Sequence, residues 1–480
     1  MTTASTRSIV SAMPDPISDH DAVAAALRLV EREAERYLEA VDGALVRPPG
    51  SPRIDGGLPA QGIGSLEALA ELLAAADEGA TRSTGPRFFH FVMGGVTPAA
   101  LGADWLTSTL NQAAYNWVSS PLASRIEQVT LGWLKELFGI PAEWSAVTTT
   151  AATTANLVGL AAGRRWWARQ HGVDVDAAGF AGLPAAPIFS SSFLHASAVK
   201  AIGILGLGRT TPRIIEWRAL EAALRELDGA PAIVIATAGD VNTGYFDPIR
   251  EIAELTRRHG AWLHVDGAFG LYAAVSPSTA HLVDGLAECD SVAVDGHKWL
   301  NAPYDTGFAF VRDPSLHTAA FSTSAAYLGT EALARPVFGN LASEMSRRAR
   351  AIPVWATLRA YGRDGYRSMV ERHLSLAQRV ARQVDEANDL ERLAEVPLNI
   401  VCFRFRPHGV PESELDDLNR KLGDMVLEDG RVYFGTTVYE GKVAFRPAIV
   451  NWRTTEKDVD LIVEVVRELG SRLLATAPGR

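Results

Sequence analysis

The chain has 480 residues, 47% hydrophobic and 21% charged, with a formal net charge of −10. That length predicts at least two packed units, and the acidic balance argues against nucleic acid as a main partner, because phosphate recognition wants a basic face. The two cysteines, Cys289 and Cys402, make no disulfide framework or zinc spacing, so a reducing, cytoplasmic setting without a metal is expected, with both thiols as small buried hydrophobes.

The opening MTTASTRSIVSAMPDPISDH has no continuous apolar core, which predicts no signal peptide, and no run approaches the roughly 20 apolar residues of a membrane span. Val23, Leu27, Val30, Ala34, Leu38 and Val41 recur at helical spacing and predict a helix over 19–42. Pro48, Pro49, Gly50, Ser51 and Pro52 break the chain before a second helix near Ser65–Asp77. This segment, residues 1–85, is too short to bury its own apolar stripe and reads as an arm that packs on something else.

From about residue 90 the pattern becomes βα alternation. Ala232–Ala236, Ala261–Val265, Ser291–Val294 and Gly307–Val311 are short apolar strands, with helical stretches such as Asp247–Gly260 between several of them. An α/β fold with a mainly parallel sheet flanked by helices follows, and ligands of such sheets bind beyond the carboxyl ends of the strands. An Arg- and Ala-rich helix over Ser343–Gln383 leads from a large unit, 86–360, into a smaller one, 361–480. The smaller unit has strands at Asn399–Phe405 and Val443–Val450 and a last helix from Asp458, preceded by capping-box spacing between Thr455 and Asp458.

Four stretches carry chemistry-bearing residues. Lys298, in Asp295-Gly296-His297-Lys298-Trp299, follows a strand; a half-buried amine there can lose its proton and attack an aldehyde, although a turn lysine on the surface is the plainer alternative. Asp266 ends the strand Ala261–Val265, just before Gly267 and Ala268, and suits either a heteroaromatic nitrogen or a helix cap. His195, in Phe193-Leu194-His195-Ala196-Ser197, follows the apolar Pro187–Phe189 and fits a stacking ring or a half-buried structural histidine. Thr148–Asn156, TTTAATTAN, opens a helix over Ala155–Arg164, whose free N–H groups suit a phosphate.

Order and spacing of these stretches resemble the group II amino-acid decarboxylases that use pyridoxal 5′-phosphate (PLP), a family including aromatic-L-amino-acid, glutamate and cysteine-sulfinate decarboxylases. The resemblance spans roughly residues 85–455 and rests on PRFFHF (Pro86–Phe91), DWLTSTLNQ (Asp104–Gln112), SPLASRIE (Ser120–Glu127), FLHAS, ATAGDVNTGYFDPI (Ala236–Ile249), WLHVDGAFG (Trp262–Gly270) and DGHKWLN (Asp295–Asn301). It implies fold type I, the aspartate-aminotransferase architecture, and a homodimer with the N-terminal arm wrapping its partner and the site at the interface. By the same resemblance Lys298 forms the Schiff base with PLP and His297 helps hold the phosphate or the closed state. Asp266 pairs with the pyridine nitrogen, Ala268 packs on one ring face, and His195 stacks on the other and assists proton transfer. Ala152 and Thr153 contact the phosphate. Arg446, in VAFRPAIVN, matches the position that binds the substrate carboxylate in glutamate-decarboxylase-like members; a surface strand residue is the alternative.

Three departures bear on the chemistry. The family's ATxGTT stretch has Asp240, Val241 and Asn242 in place of its threonines, leaving Asn242 as the cofactor-side candidate. Asp295-Gly296 replaces the usual Asn-Pro before His-Lys. The mobile-loop tyrosine, counted back without gaps from Arg347-Arg348, is Phe338; in related plant enzymes phenylalanine there accompanies aldehyde-forming chemistry, and Tyr327 is the other source of a tyrosine. Phe89, Phe91, Tyr115 and Trp117 align with pocket-lining segments and suggest an apolar or aromatic L-amino acid substrate, decarboxylated to an amine and carbon dioxide. Oxidative deamination to an aldehyde, decarboxylation of an acidic amino acid, and a non-catalytic binding protein of the same fold are the alternatives.

Overall fold

The computed structural model describes residues 16–17, 19–52, 54, 56–323 and 335–476. Its larger sheet has seven strands: β1 (Ser145–Thr149), β2 (Ile188–Ser190), β3 (Arg213–Ile214), β4 (Ile233–Thr237), β5 (Trp262–Asp266), β6 (Ser291–Asp295) and β7 (Gly307–Val311), in the order β1-β7-β6-β5-β4-β2-β3. β3, β2, β4, β5 and β6 run parallel, and β7 is antiparallel to both β6 and β1. Every residue of β4, β5, β6 and β7 is buried, so both faces are covered and the strands read as continuous apolar runs. The predicted strands match β4 to β7 to within a residue.

A second sheet of four antiparallel strands contains β8 (Leu390–Arg392), β9 (Phe403–Phe405), β10 (Thr436–Tyr439) and β11 (Lys442–Phe445), in the order β10-β11-β9-β8. It shares a separate core with the helices Glu412–Asp429 and Glu456–Thr476 and the end of Ala351–Glu386. Both strands predicted here are longer in the sequence pattern than in the structure. Pro447 has no N–H for the ladder, and beyond β11 only an isolated bridge joins Ala448 to Ile400. The reciprocal half of the predicted cap is present: Thr455 N and Oγ donate to Asp458 Oδ2 at 2.9 and 2.6 Å.

The long helix begins at Ala351, later than the sequence pattern suggests, and kinks at Gly362, where φ is 61°. Extended pairing of Arg348 with Ala113 keeps the preceding residues out of the helix. Arg347, 1% exposed, there meets the equally buried Glu127 at 2.7 Å and donates to Ala114 O and Thr148 O. Glu127 also accepts from Thr148 N and Oγ at 3.0 and 2.7 Å, so this buried, multiply bonded pair fixes β1 just before it turns into the helix Ala152–Gln170.

At the N-terminus, the helix Val23–Ala40 has no buried residue, and Val23 and Leu27 are 59% and 57% exposed. Both cysteines are buried and free; burial pushes the Cys402 thiol up to about 12 and Cys289 higher still. No helix among the described residues is long and apolar enough to cross a membrane.

Three fully buried histidines are held neutral by geometry and burial. Trp299 Nε1 donates to His373 Nδ1 at 2.8 Å, while His373 Nε2 donates to Asn451 O at 2.9 Å; the Nδ1 that receives an N–H has no room for a proton. Burial takes His373 down to about 3 and His264 and His317 to about 4. In the unfolded chain each titrates near ~6.5, so below that pH the unfolded state binds protons that the folded state refuses, and stability falls as pH drops toward 4. Asp247, pushed up to about 6 by burial, and Asp290, also raised by burial, act in the opposite sense, but burial lowers His90, His195 and His297 as well, so the histidines outnumber them. The melting temperature of cofactor-free protein is therefore expected to drop steadily between pH 7 and pH 4.5, by at most about 3 kcal/mol of stability per histidine. A pH-independent melting temperature over that range would contradict the assignment.

Candidate active site

The functional side chains gather at the carboxyl ends of the parallel strands, where an open α/β sheet binds its ligands. Lys298 lies in the turn after β6, its side chain 15% exposed, with Nζ 3.2 Å from Asp295 Oδ2 and 5.6 Å from the centroid of the Phe269 ring. The turn is fixed from below. Asn301, fully buried at φ 56°, accepts from Gly95 N at 2.8 Å and Trp452 N at 3.0 Å, and donates to Trp299 O and Val450 O. A Cβ on Gly94 would fall 1.9 Å from Lys298 O, so only glycine allows that close approach.

Asp266 ends β5 at 4% exposure. Its Oδ1 accepts from Ala268 N at 3.2 Å, and its Oδ2 accepts from Asn156 Nδ2 at 2.8 Å and, more weakly, Ser197 Oγ at 3.5 Å. A carboxylate only accepts, so Asn156 presents its amide N–H₂ to it and turns Oδ1 to His264 Nε2 at 2.9 Å. His264 Nδ1 then accepts from Ser291 Oγ at 2.8 Å, and Ser291 in turn accepts from Trp262 Nε1 at 3.2 Å. One chain of donors thus runs Trp262, Ser291, His264, Asn156, Asp266 with every polarity set. It fits because Cβ atoms on Gly159 and Gly163 would lie 2.7 Å from His264 and 2.9 Å from Trp262.

His195 caps the helix Ala196–Ile204, its Nδ1 accepting from Ser197 N at 3.2 Å and lying 2.7 Å from Ser197 Oγ. Its ring is reachable from solvent, and the protein around it lowers its pKa because desolvation outweighs the pull of Asp266. Neutral, with Nδ1 accepting, it carries its proton on Nε2. His297 is lowered by burial as well, against the opposing charge of Asp295. Its Nδ1 donates to Thr306 O at 3.0 Å, and its ring stacks on Tyr304 at 4.1 Å. The helix Ala152–Gln170 has no side-chain cap at Ala151; Ala152 N instead donates to Asp295 Oδ1 at 2.5 Å.

Arg446 reaches in from the smaller unit just past β11 and donates to Val241 O at 3.2 Å. Burial lowers its pKa against the pull of Asp240, its charge acts on both His195 and His90, and among the described residues no carboxylate lies within ion-pair distance of it. Asp240, buried, accepts from Asn242 N, Thr243 N and Thr243 Oγ and so holds the loop that supplies the Val241 carbonyl. The Asn242 side chain accepts from Thr437 Oγ at 2.8 Å, which turns it to the smaller sheet.

The contacts of the other candidates are to residues other than Lys298. Phe338 is 3% exposed and packs under Arg347, whose Cζ is 5.9 Å from the ring centroid. Tyr115 lies against Gly339, and Arg335 covers Trp117 at 4.1 Å beside a cavity of about 290 Å³ lined also by Ser124, Arg125 and Gln128. Phe91, 56% exposed at φ 56°, stacks on His90 at 3.6 Å, while Phe89 belongs to the core of the smaller unit. Tyr327 is outside the described residues. Asn156, Ser197, His264 and Asn301 were passed over in the sequence, although the N-x-x-G-x-x-x-G spacing of Asn156, Gly159 and Gly163 marks a helix face pressed on β5.

Residues 68–406 match the pyridoxal-dependent decarboxylase conserved domain. The chain belongs to that family. It is 28% identical over 408 residues to an aromatic-L-amino-acid decarboxylase of Bacillus atrophaeus, covering 82% of this chain and 83% of the relative. It is 26% identical to a phenylacetaldehyde synthase of Arabidopsis thaliana, over 82% and 84%, and 29% identical to the mouse acidic amino acid decarboxylase GADL1, over 80% and 74%. The crystal structure of Oryza sativa TDC with PLP and tryptamine superposes with a TM-score of 0.89 at 24% identity, covering 96% of this chain and 99% of that one, which shows fold type I.

The enzyme is thus a PLP-dependent carboxy-lyase, and its residues fit the cofactor. A carboxylate with a fixed donor behind it, an amine at the next strand end, a neutral imidazole and a helix N-terminus already holding an anion are the donor set that a phosphorylated pyridine aldehyde requires. Asn156→Leu strands both Asp266 and His264 and is expected to cost roughly 2–4 kcal/mol in urea unfolding of the cofactor-free protein. Ser197→Ala, which removes the 3.5 Å contact to Asp266, the bond to His195 and the 3.2 Å bond from Asn156 but leaves Asn156 bonded to both Asp266 and His264, is expected to cost less; the opposite order would contradict the relay.

Proposed function

We propose that this enzyme removes the α-carboxylate of an apolar or aromatic L-amino acid as carbon dioxide and releases the amine. The observation that carries the reading is Arg446, a half-buried guanidinium with no carboxylate partner among the described residues, whose charge is felt at His195. PLP, when bound, supplies an electron sink for the pair left at Cα. Lys298 would hold its aldehyde carbon, and Asp266, kept an acceptor by Asn156, would face the ring nitrogen. Ala268 would leave room beside the ring and His195 would pack against it, its Nε2–H available to hold or move a proton. Ala152 and Thr153 would take the phosphate, with His297 beside it.

Arg446 would bind the α-carboxylate and hold it in one orientation while its bond to Cα breaks. Its one guanidinium is committed to one carboxylate, and the aromatic cluster of Phe88, His90, Phe91 and Tyr433, in which His90 feels the Arg446 charge, favours an apolar side chain over an acidic one. The aromatic substrate names among the relatives support the same choice.

We further infer a cytoplasmic homodimer, with residues 1–85 as its arm, a large unit over 86–360 and a small one over 361–480. The exposed Val23 and Leu27, and the apolar strip Trp105, Leu106, Leu110, Val118 and Leu122, support a second copy as the cover. Tyr115 and Trp117, on the segment between Leu110 and Val118, would then serve the partner's pocket.

Protein loaded with PLP and offered a panel of L-amino acids is expected to give amine and carbon dioxide in equal amounts. Aldehyde with ammonia and peroxide would instead establish the oxidative alternative, and an acidic substrate would overturn the pocket reading. Lys298→Ala is expected to reduce turnover to background; normal turnover would end its assigned role. Arg446→Leu is expected to lower kcat/KM by roughly 100-fold with only partial recovery in Arg446→Lys, and an unchanged kcat/KM would remove Arg446 from the site.

A further inference from the structure

Of all the groups around Lys298, Asp295 is the one whose placement the proposed chemistry does not use. It is a buried carboxylate, 4% exposed, at the end of β6. One oxygen accepts from Ala152 N at 2.5 Å and the other faces Lys298 Nζ at 3.2 Å. His297 Nε2 is 3.6 Å from the second oxygen, but with Nδ1–H donated to Thr306 O the neutral ring has no proton to give it. Among the described residues the only backbone donor to this carboxylate is therefore the first N–H of the helix Ala152–Gln170, at an end where Ala151 offers no side-chain cap. Carboxylates are favoured there for the same reason as phosphates: both are anions facing free N–H groups and the positive end of the helix dipole.

We propose that Asp295 is a built-in competitor for the cofactor's phosphate. In the cofactor-free protein its carboxylate occupies the Ala152 N–H and neutralises Lys298. The arriving phosphate must displace it from that N–H and then tolerate a second anion a few ångströms away. Asp295 thus keeps the empty site electrostatically closed and loosens the hold on the loaded cofactor, making occupancy more sensitive to cofactor supply than it would be with an uncharged residue. This rests on the reading that Ala152 and Thr153 receive the phosphate.

The test compares binding of PLP and of pyridoxal, its dephosphorylated form, to cofactor-free protein by absorbance titration. Pyridoxal makes the same bond to Lys298, so the ratio of the two affinities isolates the phosphate. Asp295→Asn and Asp295→Ala are each expected to raise that ratio about tenfold. The alanine variant matters because asparagine could donate a new hydrogen bond; a rise confined to asparagine, or no rise in either, would overturn the proposal. Ala152→Pro checks the underlying reading separately. Ala151 is extended, at φ −167° and ψ 174°, so the backbone accepts proline at this first helical position, which replaces the contested N–H with a ring carbon that neither anion can bond. With the phosphate at this helix the PLP-to-pyridoxal ratio falls in Ala152→Pro. An unchanged ratio there would show that the phosphate binds elsewhere, whatever the Asp295 variants do.

Discussion

The site depends on one saturated amide. Asn301 spends all four of its hydrogen-bonding positions, two accepting and two donating, on backbone from its own turn and from two distant stretches of chain. A strand end by itself specifies where a residue leaves the sheet but not where its side chain goes. Asn301, together with the Trp299–His373–Asn451 bonds and the glycine at 94, converts the end of β6 into a turn with a single conformation. The same bonds tie the larger sheet, the long helix and the smaller unit to one point three residues from Lys298. Domain packing and catalytic geometry are thus one problem with one solution, and loosening this turn would move the amine relative to Asp266 and Arg446 together.

The two carboxylates of the centre are handled in opposite ways. Behind Asp266 stands a relay whose polarity is forced at every step, beginning with an indole that can only donate and ending at a carboxylate that can only accept. No proton has an alternative place along it, because His264 is buried and neutral, so the Asp266 side chain is held as an acceptor in one orientation. Asp295 has no such backing: its partners are a helix N-terminus and the reactive amine. One carboxylate is part of the scaffold, whereas the other can change partners.

Much of this was legible in the sequence. Continuous apolar runs marked β4 to β7 to within a residue, since strands buried on both faces leave no room for polar alternation. Lys298, Asp266 and His195 stood out because each follows such a run. Less visible were residues whose role is set by three-dimensional saturation. Asn301 looks like any loop asparagine, and Asn156 like any helical one, until their four neighbours are known. The late start of the long helix was equally hidden, because Arg347 leaves helical geometry to reach a glutamate 220 residues away in the chain. Asp295 was visible as a departure, but its partner, a backbone N–H, carries no sequence signature at all.

Substrate choice was the least legible, and the architecture explains why. The residues proposed to decide the reaction type lie at the ends of β5 and β6 and at the helix after β1, all tied to the core of one chain. The aromatic residues singled out for the pocket are distributed differently. Phe338 is locked under Arg347, Trp117 lies beside Arg335, and Phe91 points outward from a strained turn at φ 56°. Between Trp105 and Leu122 several large apolar side chains are left in water. Exposed apolar surface of this kind marks an interaction surface, and on the proposed dimer a second copy would cover it and complete the pocket. The candidate chemistry is thus carried by strand ends, where sequence patterns are strong, whereas the residues singled out for specificity lie on segments whose surroundings the sequence pattern does not define.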